Sequence, residues 1–279
     1  MNLFDPRSIL FVPANKLNKI EKVAASGPDI IMIDLEDSIN PDQKGMMRDE
    51  LTKFFSTEHN LSSSIGVRIN SMRTLDGIMD LLSISNMMYL PDVLMIPKVK
   101  HSSEIDLLID LLSDIGISIP LIPLAETLEF WDDIDHILMN DLVTCVAFGG
   151  IDLAAELGSD TSWDTLLMYR VMLLRSARKN GKGCVDMPWF ALLDTEGLES
   201  ETLKVKSLGF DGRIAIHPDQ VNVIHKAFHP TEEEIREAQG IVQSAEDSNA
   251  GVSVFNGKVV ERPVLASAYK VLARAERYQ

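Results

Sequence analysis

Apolar residues in the first three quarters of the chain are grouped into short runs, separated by longer amphipathic segments. The runs are rich in Ile, Val and Leu and recur about every 20–40 residues, a spacing typical of a repeated βα unit. They cover residues 8–12, 29–34, 65–70, 92–98, 117–125, 143–148, 183–186 and 212–217. Because the runs are almost continuously apolar, they predict parallel strands buried on both faces.

Eight βα units in a chain of this length predict an α/β fold, a TIM (β/α)8 barrel. A doubly wound parallel sheet is the alternative. No predicted strand is followed by a Gly-x-Gly-x-x-Gly or Walker loop, which disfavours a dinucleotide-binding or nucleotide-hydrolysing protein.

The last quarter of the chain departs from this repeat. Thr231 and Glu234 have the spacing of a capping box and predict a helix to about residue 244. Asn256-Gly257 lies between two short apolar stretches and predicts a hairpin with a type I′ turn. The other predicted elements are a turn at 246–251, strands at 252–255 and 258–260, and a helix at about 263–277.

These patterns divide the chain into two predicted parts. We expect the barrel over residues 1–230 and a helix–hairpin–helix extension over residues 231–279. The extension could pad the barrel, form an oligomer contact or cover an active site.

The charge balance narrows the choice of partner. The chain has 42 acidic and 26 basic residues and a net charge of −16, which argues against nucleic acid or an anionic membrane as the main partner. No signal-peptide pattern or membrane-length apolar run is present in the sequence. Cys145 and Cys184 lie in apolar runs without metal-site spacing, as expected for buried free thiols in a reducing cytoplasm.

Polar residues at the carboxyl ends of the predicted strands are the candidates for chemistry, because that end of a TIM barrel forms the catalytic mouth. They are Asn15, Asp34, Glu36, Asp37, Arg68, Asn70, Lys98, Glu126, Asp152, Asp186 and His217. Carboxylates crowded together repel one another unless a cation lies among them. Oxygen ligands without a His or Cys cluster predict Mg2+ rather than zinc.

Several of these candidates also have a purely structural interpretation. Asp152 could be the N-cap of the helix that follows it, and Thr127 could cap the helix after Glu126. Arg68 could belong to a buried ion pair, since an unpaired charge would be costly there. The acidic residues at 34–37 alternate in direction, so at least one of them points away from the mouth.

Eight segments, spread in order over nearly the whole chain, together resemble those of one known family. The segments are RSILFVPAN, DIIMIDLEDSI, VRIN, PKV, PLAET, AFGGIDLAAELG, LGFDGRIAIHPDQ and NGKVVERP. They resemble the HpcH/HpaI aldolase–citrate lyase β-subunit family, and within it the stand-alone citrate-lyase-β-like malyl-CoA and citramalyl-CoA lyases. The resemblance implies a TIM barrel of the phosphoenolpyruvate/pyruvate type with Mg2+ at its mouth. It also implies CoA as part of the substrate and a homo-oligomer, usually a trimer or hexamer.

The resemblance assigns roles motif by motif. Glu126 of AET and Asp152 of GGID would be the protein ligands of Mg2+. Arg68 of VRIN would bind the carboxylate and thioester region of the substrate. Glu36 and Asp37 of DLED would lie near the metal and orient its water ligands.

Two further segments carry implied roles, and three positions depart from the family pattern. The segment associated with the CoA end is Pro13, Ala14, Asn15 and Lys16. Glu261 of KVVERP stands where the family has an acid/base aspartate that the tail of a neighbouring subunit supplies. The departures are Ala14 for a common glycine, Ile151 for a common acidic residue, and Glu261 for aspartate. Glutamate can still transfer protons, but a displacement of about 1 Å can cost on the order of 100-fold in rate.

The implied reaction is a retro-Claisen cleavage of a β-hydroxyacyl-CoA thioester to acetyl-CoA and a 2-oxo acid. Glu261 would be the general base, and Arg68 would stabilise the enolate. Three alternatives stay open: a citrate lyase β subunit acting on citryl-acyl-carrier-protein, an aldolase for free 2-oxo acids, and a weakly active or non-catalytic CoA-ester-binding homologue. The acyl group also stays open, because one methyl group changes discrimination by only about 1–3 kcal/mol.

Overall fold

Eight parallel strands close into a barrel in the computed structural model, which describes residue 3, residues 5–247 and residues 253–277. Each strand pairs with the next along the chain, and the eighth pairs with the first. The strands are β1 Ser8–Pro13, β2 Ile30–Asp34, β3 Ser64–Arg68, β4 Val93–Ile96, β5 Leu121–Ala125, β6 Cys145–Phe148, β7 Gly183–Asp186 and β8 Gly212–Ala215. The predicted TIM barrel is confirmed, and the doubly wound alternative is wrong.

Helices connect successive strands, as a βα repeat requires. They are α1 Ile20–Ala24, α2 Lys44–Phe54, α3 Leu75–Ser85, α4 Ser102–Asp114, α5 Leu128–Met139, α6 Gly150–Leu157, α7 Trp163–Lys179, α8 Thr195–Leu208 and α9 Pro218–Phe228. Short 3-10 helices occupy Ala14–Lys19 and Pro41–Gln43. Within the described part of the chain, no helix is long and apolar enough to span a membrane.

Seven of the eight predicted runs differ from the observed strands by one to four residues at one or both ends, and two of these differences have clear local reasons. The fifth run was predicted to begin at residue 117, but β5 begins at Leu121 because the Ile117 N–H donates to the Leu112 carbonyl and closes α4. The fourth run was predicted to reach residue 98, but β4 ends at Ile96 and Lys98 has a left-handed φ of 54°. Apolar content alone does not mark either strand end.

Alternate residues of the strands fill the barrel. The buried core cluster consists of Ile9, Ile30, Met32, Val93, Met95, Ile122, Leu124, Cys145, Ala147, Val185 and Ile214. Towards the carboxyl ends the same inward-facing series continues with Asp34 on β2, Arg68 on β3 and Glu126 after β5. Asp34 and Arg68 are Cα partners in the β2–β3 register. Because every second residue of a strand faces inward, the apolar core is followed by a layer of charged side chains at the carboxyl end of the barrel.

The chain divides into two compact units, Met1–His225 and Lys226–Gln279. The second unit contains α10 Glu232–Glu246, the antiparallel strands β9 Ser253–Phe255 and β10 Lys258–Val260, and α11 Arg262–Arg277. The predicted helix–hairpin–helix is therefore present. Most of the predicted turn at 246–251, and residue 252 of the hairpin, lie outside the described residues. The division that we predict after residue 230 stays a prediction.

Local chemistry explains the ends of these elements. The Thr231 hydroxyl accepts from the Glu234 N–H at 3.1 Å, and the Glu234 carboxylate accepts from the Thr231 N–H at 2.7 Å. This is the predicted capping box. Asn256 and Gly257 both have positive φ, 46° and 75°, as a type I′ turn requires.

A partly buried histidine lies near the amino end of β1. His225 Nε2 is 2.7 Å from Ser8 Oγ and 3.7 Å from Asp29 Oδ1, and Asp29 in turn accepts from the Arg7 guanidinium at 2.8 Å. Burial lowers the pKa of His225 to about 4; the Asp29 charge opposes this shift and the Arg7 charge adds to it. The folded protein therefore holds this imidazole neutral at pH values where an exposed histidine is protonated.

We predict that this histidine makes stability fall with acidity between pH 6.5 and about 4. In that window the unfolded chain binds a proton that the folded chain does not, so the free energy of unfolding falls as the pH falls, by at most about 3 kcal/mol for this group. His225→Gln removes the titration and keeps a polar partner for Ser8. Urea denaturation across this pH range should give a shallower loss for His225→Gln than for the original chain. The control is His136→Gln, at a side chain that is 72% exposed; equal slopes for His225→Gln and the original chain would contradict the prediction.

Candidate active site

A cavity of about 490 Å3 opens at the carboxyl ends of the strands. This is the end at which TIM barrels place their active sites. The cavity is lined by the candidate Asp34 and by five residues to which the resemblance assigns a role: Pro13, Asp37, Arg68, Glu126 and Asp152. The structure therefore brings together residues that are far apart in the sequence.

Arg68 is held rigidly at the cavity wall. Its Nε and Nη2 each donate to one oxygen of Asp34 at 2.7 Å, and Nη1 lies 2.9 Å from Glu36 Oε2. The guanidinium also lies over the Phe11 ring, 4.8 Å from its centroid. Burial opposes the charge of Arg68, but Asp34 and Glu36 outweigh it and raise the pKa of Arg68. Arg68 thus forms the buried ion pair that the sequence allowed, and it also faces the cavity.

Lys98 connects carboxylates from two sides of the mouth. Its backbone N–H donates to Glu126 Oε1 at 2.6 Å. Its Nζ donates to Glu36 Oε1 at 2.5 Å and to Asp37 Oδ1 at 3.3 Å. The left-handed backbone at Lys98 is uncommon for a residue with a Cβ, and here it accompanies both sets of contacts.

Glu126 is a closely confined carboxylate of the site. It is 3% exposed and packs against Gly149, where a Cβ would lie 2.4 Å from Glu126 Cβ and 2.6 Å from Oε2. Burial and the negative charges of Glu36 and Asp152 raise the pKa of Glu126 to about 8. The positive charge of Arg68, which lowers this pKa, therefore does not offset the burial and the negative charges around Glu126.

These residues fit a divalent cation with oxygen ligands. A cation near Glu126 and Asp152 would offset the repulsion that raises the pKa of Glu126. Glu36 Oε2 is buried and, although close to Arg68, accepts no hydrogen bond of ordinary geometry. In the described residues no three His, Cys, Asp or Glu side chains form a ready metal cluster. Mg2+ commonly takes one or two protein carboxylates and fills its other positions with water or substrate oxygens, which suits a site of two carboxylates.

Of the two predicted helix caps, the structure contradicts one and confirms the other. Asp152 is the third residue of α6, and the N-cap is Gly149, so the N-cap interpretation of Asp152 is wrong. Thr127 does cap α5, since its hydroxyl accepts from the Phe130 N–H at 3.3 Å. The carboxylate of Glu126 is therefore not needed as a cap.

Asp186 was expected at the mouth and lies elsewhere. It alternates with the inward-facing Val185, so its side chain points out of the barrel towards α7. There it accepts from Arg170 Nε at 2.9 Å, with both side chains fully buried. Its interpretation as a rim residue is wrong because the strand ends one position past an inward-facing residue.

The segment matched to the CoA end begins at the cavity. Pro13 lines the cavity, while Ala14 is buried, and Asn15 and Lys16 are exposed in the 3-10 helix that follows. Ala14 has no left-handed φ, so alanine is unstrained at the position where the family commonly has glycine.

Glu261 belongs to the second unit. It immediately precedes α11, where its carbonyl accepts from the Leu265 N–H at 3.0 Å. Its acid/base role stays a prediction, as do the roles of the CoA-associated segment.

Sequence reasoning placed Asp34 and Lys98 at strand ends but gave neither of them a role. Asp34 and Arg68 end adjacent strands and are Cα partners, but the predicted run at 65–70 extends beyond Arg68 and does not mark this pairing. No sequence signal marks the left-handed backbone of Lys98, since lysine has no preference for it.

Comparisons with known proteins agree with this geometry. The family model described as HpcH/HpaI aldolase/citrate lyase matches residues 7–218, and a model described as a C–C bond lyase of the TIM-barrel fold matches residues 175–279. The (3S)-malyl-CoA thioesterase of Cereibacter sphaeroides is 32% identical over 97% of this chain and 94% of its own length. The mitochondrial citramalyl-CoA lyase of Rattus norvegicus is 28% identical over 96% of this chain and 86% of its own length.

One solved structure is similar to this chain over nearly its full length. The crystal structure of CitE from Mycobacterium tuberculosis in complex with magnesium, acetoacetate and coenzyme A has a TM-score of 0.84 and 28% identity. The match covers 99% of this chain and 100% of that one. With its closed barrel, its acidic mouth and these matches, the chain belongs to the HpcH/HpaI aldolase/citrate lyase family of carbon–carbon lyases.

Proposed function

We propose that this lyase is Mg2+-dependent and cleaves a β-hydroxyacyl-CoA thioester, such as malyl-CoA or citramalyl-CoA, to acetyl-CoA and a 2-oxo acid. The observation that carries the proposal is the pair Glu126 and Asp152 facing one cavity beside the fixed guanidinium of Arg68. The CoA-ester enzymes among the relatives, and the magnesium and coenzyme A in the CitE complex, support the same chemistry.

Arg68 supplies a fixed positive charge to the reaction. Cleavage leaves negative charge on the enolate of the acetyl thioester, and a donor that is already oriented stabilises it without reorganising. Asp34 holds two of the guanidinium nitrogens, so Arg68 has little freedom to turn away. Mg2+ held by Glu126 and Asp152 would supply Lewis acidity to the hydroxyl and carboxylate oxygens of the substrate.

Glu36 and Asp37 have a supporting role in this proposal. Lys98 and Arg68 hold Glu36, and Lys98 holds Asp37, which lines the cavity. In this proposal both carboxylates would accept hydrogen bonds from water ligands of the metal. We assign the general base to Glu261, as the resemblance implies, delivered by the tail of a neighbouring copy in a homo-oligomer. Its extra methylene relative to aspartate makes this assignment the step most sensitive to distance.

The proposal is tested by a cleavage assay on the full chain. The substrates are malyl-CoA, both citramalyl-CoA stereoisomers and citryl-CoA, each with Mg2+ and after chelation. We expect Mg2+-dependent release of acetyl-CoA and a 2-oxo acid. Release of free CoA and the intact hydroxy acid would instead show thioester hydrolysis, the reaction named for the Cereibacter relative.

Asp152→Asn should abolish this cleavage. The substitution keeps the size of the side chain but removes the negative charge that a metal ligand provides. Because Asp152 is only partly buried, thermal unfolding should be nearly unchanged. Cleavage by Asp152→Asn at close to the original rate, or equal cleavage in a chelator, would refute the metal assignment.

Gly149→Ala should weaken Mg2+ binding by at least about tenfold, equivalent to about 1.4 kcal/mol. The new Cβ would lie within 2.6 Å of Glu126 atoms and must displace that carboxylate. Titration calorimetry with MgCl2 measures the effect. Gly45→Ala on α2 is the matched control, because no atom lies within 4 Å of the Cβ that it adds. Equal Mg2+ dissociation constants for the two variants would count against Glu126 as a ligand.

A further inference from the structure

The charges that line the cavity leave no cation for a second substrate carboxylate. Among the described residues lining it, Asp34, Asp37, Glu126 and Asp152 are acidic and Arg68 alone is basic. Arg68 is already paired with Asp34 and Glu36. A buried carboxylate without a counter-charge is strongly disfavoured. A cation held by the acidic groups would serve one substrate carboxylate, but a second would face a negatively charged wall.

Lys98 does not supply a positive charge for a second substrate carboxylate. The ammonium of Lys98, a residue that is not among those lining the cavity, donates to Glu36 at 2.5 Å and to Asp37 at 3.3 Å. Moving it to a substrate carboxylate would leave Glu36, a buried side chain, with less positive charge beside it. Lys98 is therefore committed to holding the site together.

Apart from Ser38, the rest of the cavity wall is apolar. Phe11, Leu124, Phe148, Ile214 and Ile216 line it below the mouth. Such a surface favours a ligand with an uncharged aliphatic group.

Two large apolar side chains complete this wall at the mouth. Ile151 and Phe190 line the same cavity and are 40% and 54% exposed. Ile151 is in the first turn of α6, immediately before Asp152, so it lies beside a proposed metal ligand. Phe190 lies between β7 and α8, after Pro188, which also lines the cavity. An aliphatic substituent on the substrate carbon next to the metal site would cover both side chains and remove apolar area from water.

We infer, resting on the proposed lyase function, that the acyl group carries one carboxylate and an uncharged aliphatic substituent on its hydroxyl-bearing carbon. Ile151 and Phe190 are the specificity-determining residues. The 2-oxo acid product is then a monocarboxylate of the pyruvate or 2-oxobutyrate type, rather than the dicarboxylate oxaloacetate. Cleavage itself is unchanged: the bond between the hydroxyl-bearing carbon and the thioester's α-carbon breaks, the hydroxyl proton goes to the base, and the enolate is protonated to acetyl-CoA.

The test compares kcat/KM for citramalyl-CoA, malyl-CoA and citryl-CoA with the full chain and Mg2+. We expect kcat/KM for citramalyl-CoA to exceed kcat/KM for citryl-CoA by at least about 100-fold, since an unpaired carboxylate is much costlier than a changed methyl group.

Phe190→Ala and Ile151→Ala should each lower the ratio of kcat/KM for citramalyl-CoA to that for malyl-CoA by about tenfold, the scale expected for contacts to one methyl group. Ile151→Lys should raise citryl-CoA relative to citramalyl-CoA by at least about tenfold, because it adds the missing cation. Ile78→Ala on α3, at a partly exposed side chain outside the cavity, is the matched control and should change none of these ratios.

A binding measurement keeps the inference separable from the lyase proposal. Titration calorimetry in the presence of Mg2+ should rank 2-oxobutyrate and pyruvate above oxaloacetate, and Phe190→Ala should reduce the difference. Tighter binding of oxaloacetate, or citryl-CoA cleaved as well as citramalyl-CoA, overturns the inference and leaves the lyase intact. Failure to cleave any of the esters refutes the proposed function, and the ranking of the 2-oxo acids then decides the specificity of the cavity by itself.

Discussion

The site depends on how two cations, Arg68 and Lys98, hold an excess of carboxylates at the end of a barrel. Arg68 joins Asp34 and Glu36, and Lys98 joins Glu36 to Glu126, through its side chain and its backbone respectively. These cations do not balance all of the negative charge of the mouth. The unbalanced part lies where Glu126 faces Glu36 and Asp152, and it raises the pKa of Glu126 to about 8.

The regular geometry of the barrel strands positions most of these charged side chains. Inward-facing positions continue from an apolar core into Asp34, Arg68 and Glu126 without any change of strand periodicity. The main irregularity is the left-handed backbone at Lys98, a conformation that costs on the order of 1–3 kcal/mol at such sites. The contacts of Lys98 with Glu126 and Glu36 offset that cost and keep the residue where it is.

The sequence predicts the barrel well because eight apolar runs and their spacing are global features that local exceptions do not hide. It also predicts most of the cavity, since strand ends converge in any closed parallel barrel. Prediction from the sequence is wrong where the direction of a side chain depends on a single position in a strand. Asp186 follows an inward-facing valine and therefore points to Arg170 instead of the mouth. The role of Lys98 depends on a backbone dihedral that its side chain does not favour.

The proposed chemistry depends on Glu126 and Asp152 holding the metal ion. The most direct measurement is anomalous diffraction from crystals of the full chain grown with Mn2+, which replaces Mg2+ among oxygen ligands and scatters anomalously. We expect one strong peak inside the cavity within about 2.3 Å of a carboxylate oxygen of each residue, a distance slightly longer than the Mg2+–oxygen bond. A Mn2+ peak bound to neither carboxylate, or no peak in the cavity at saturating Mn2+, would contradict it.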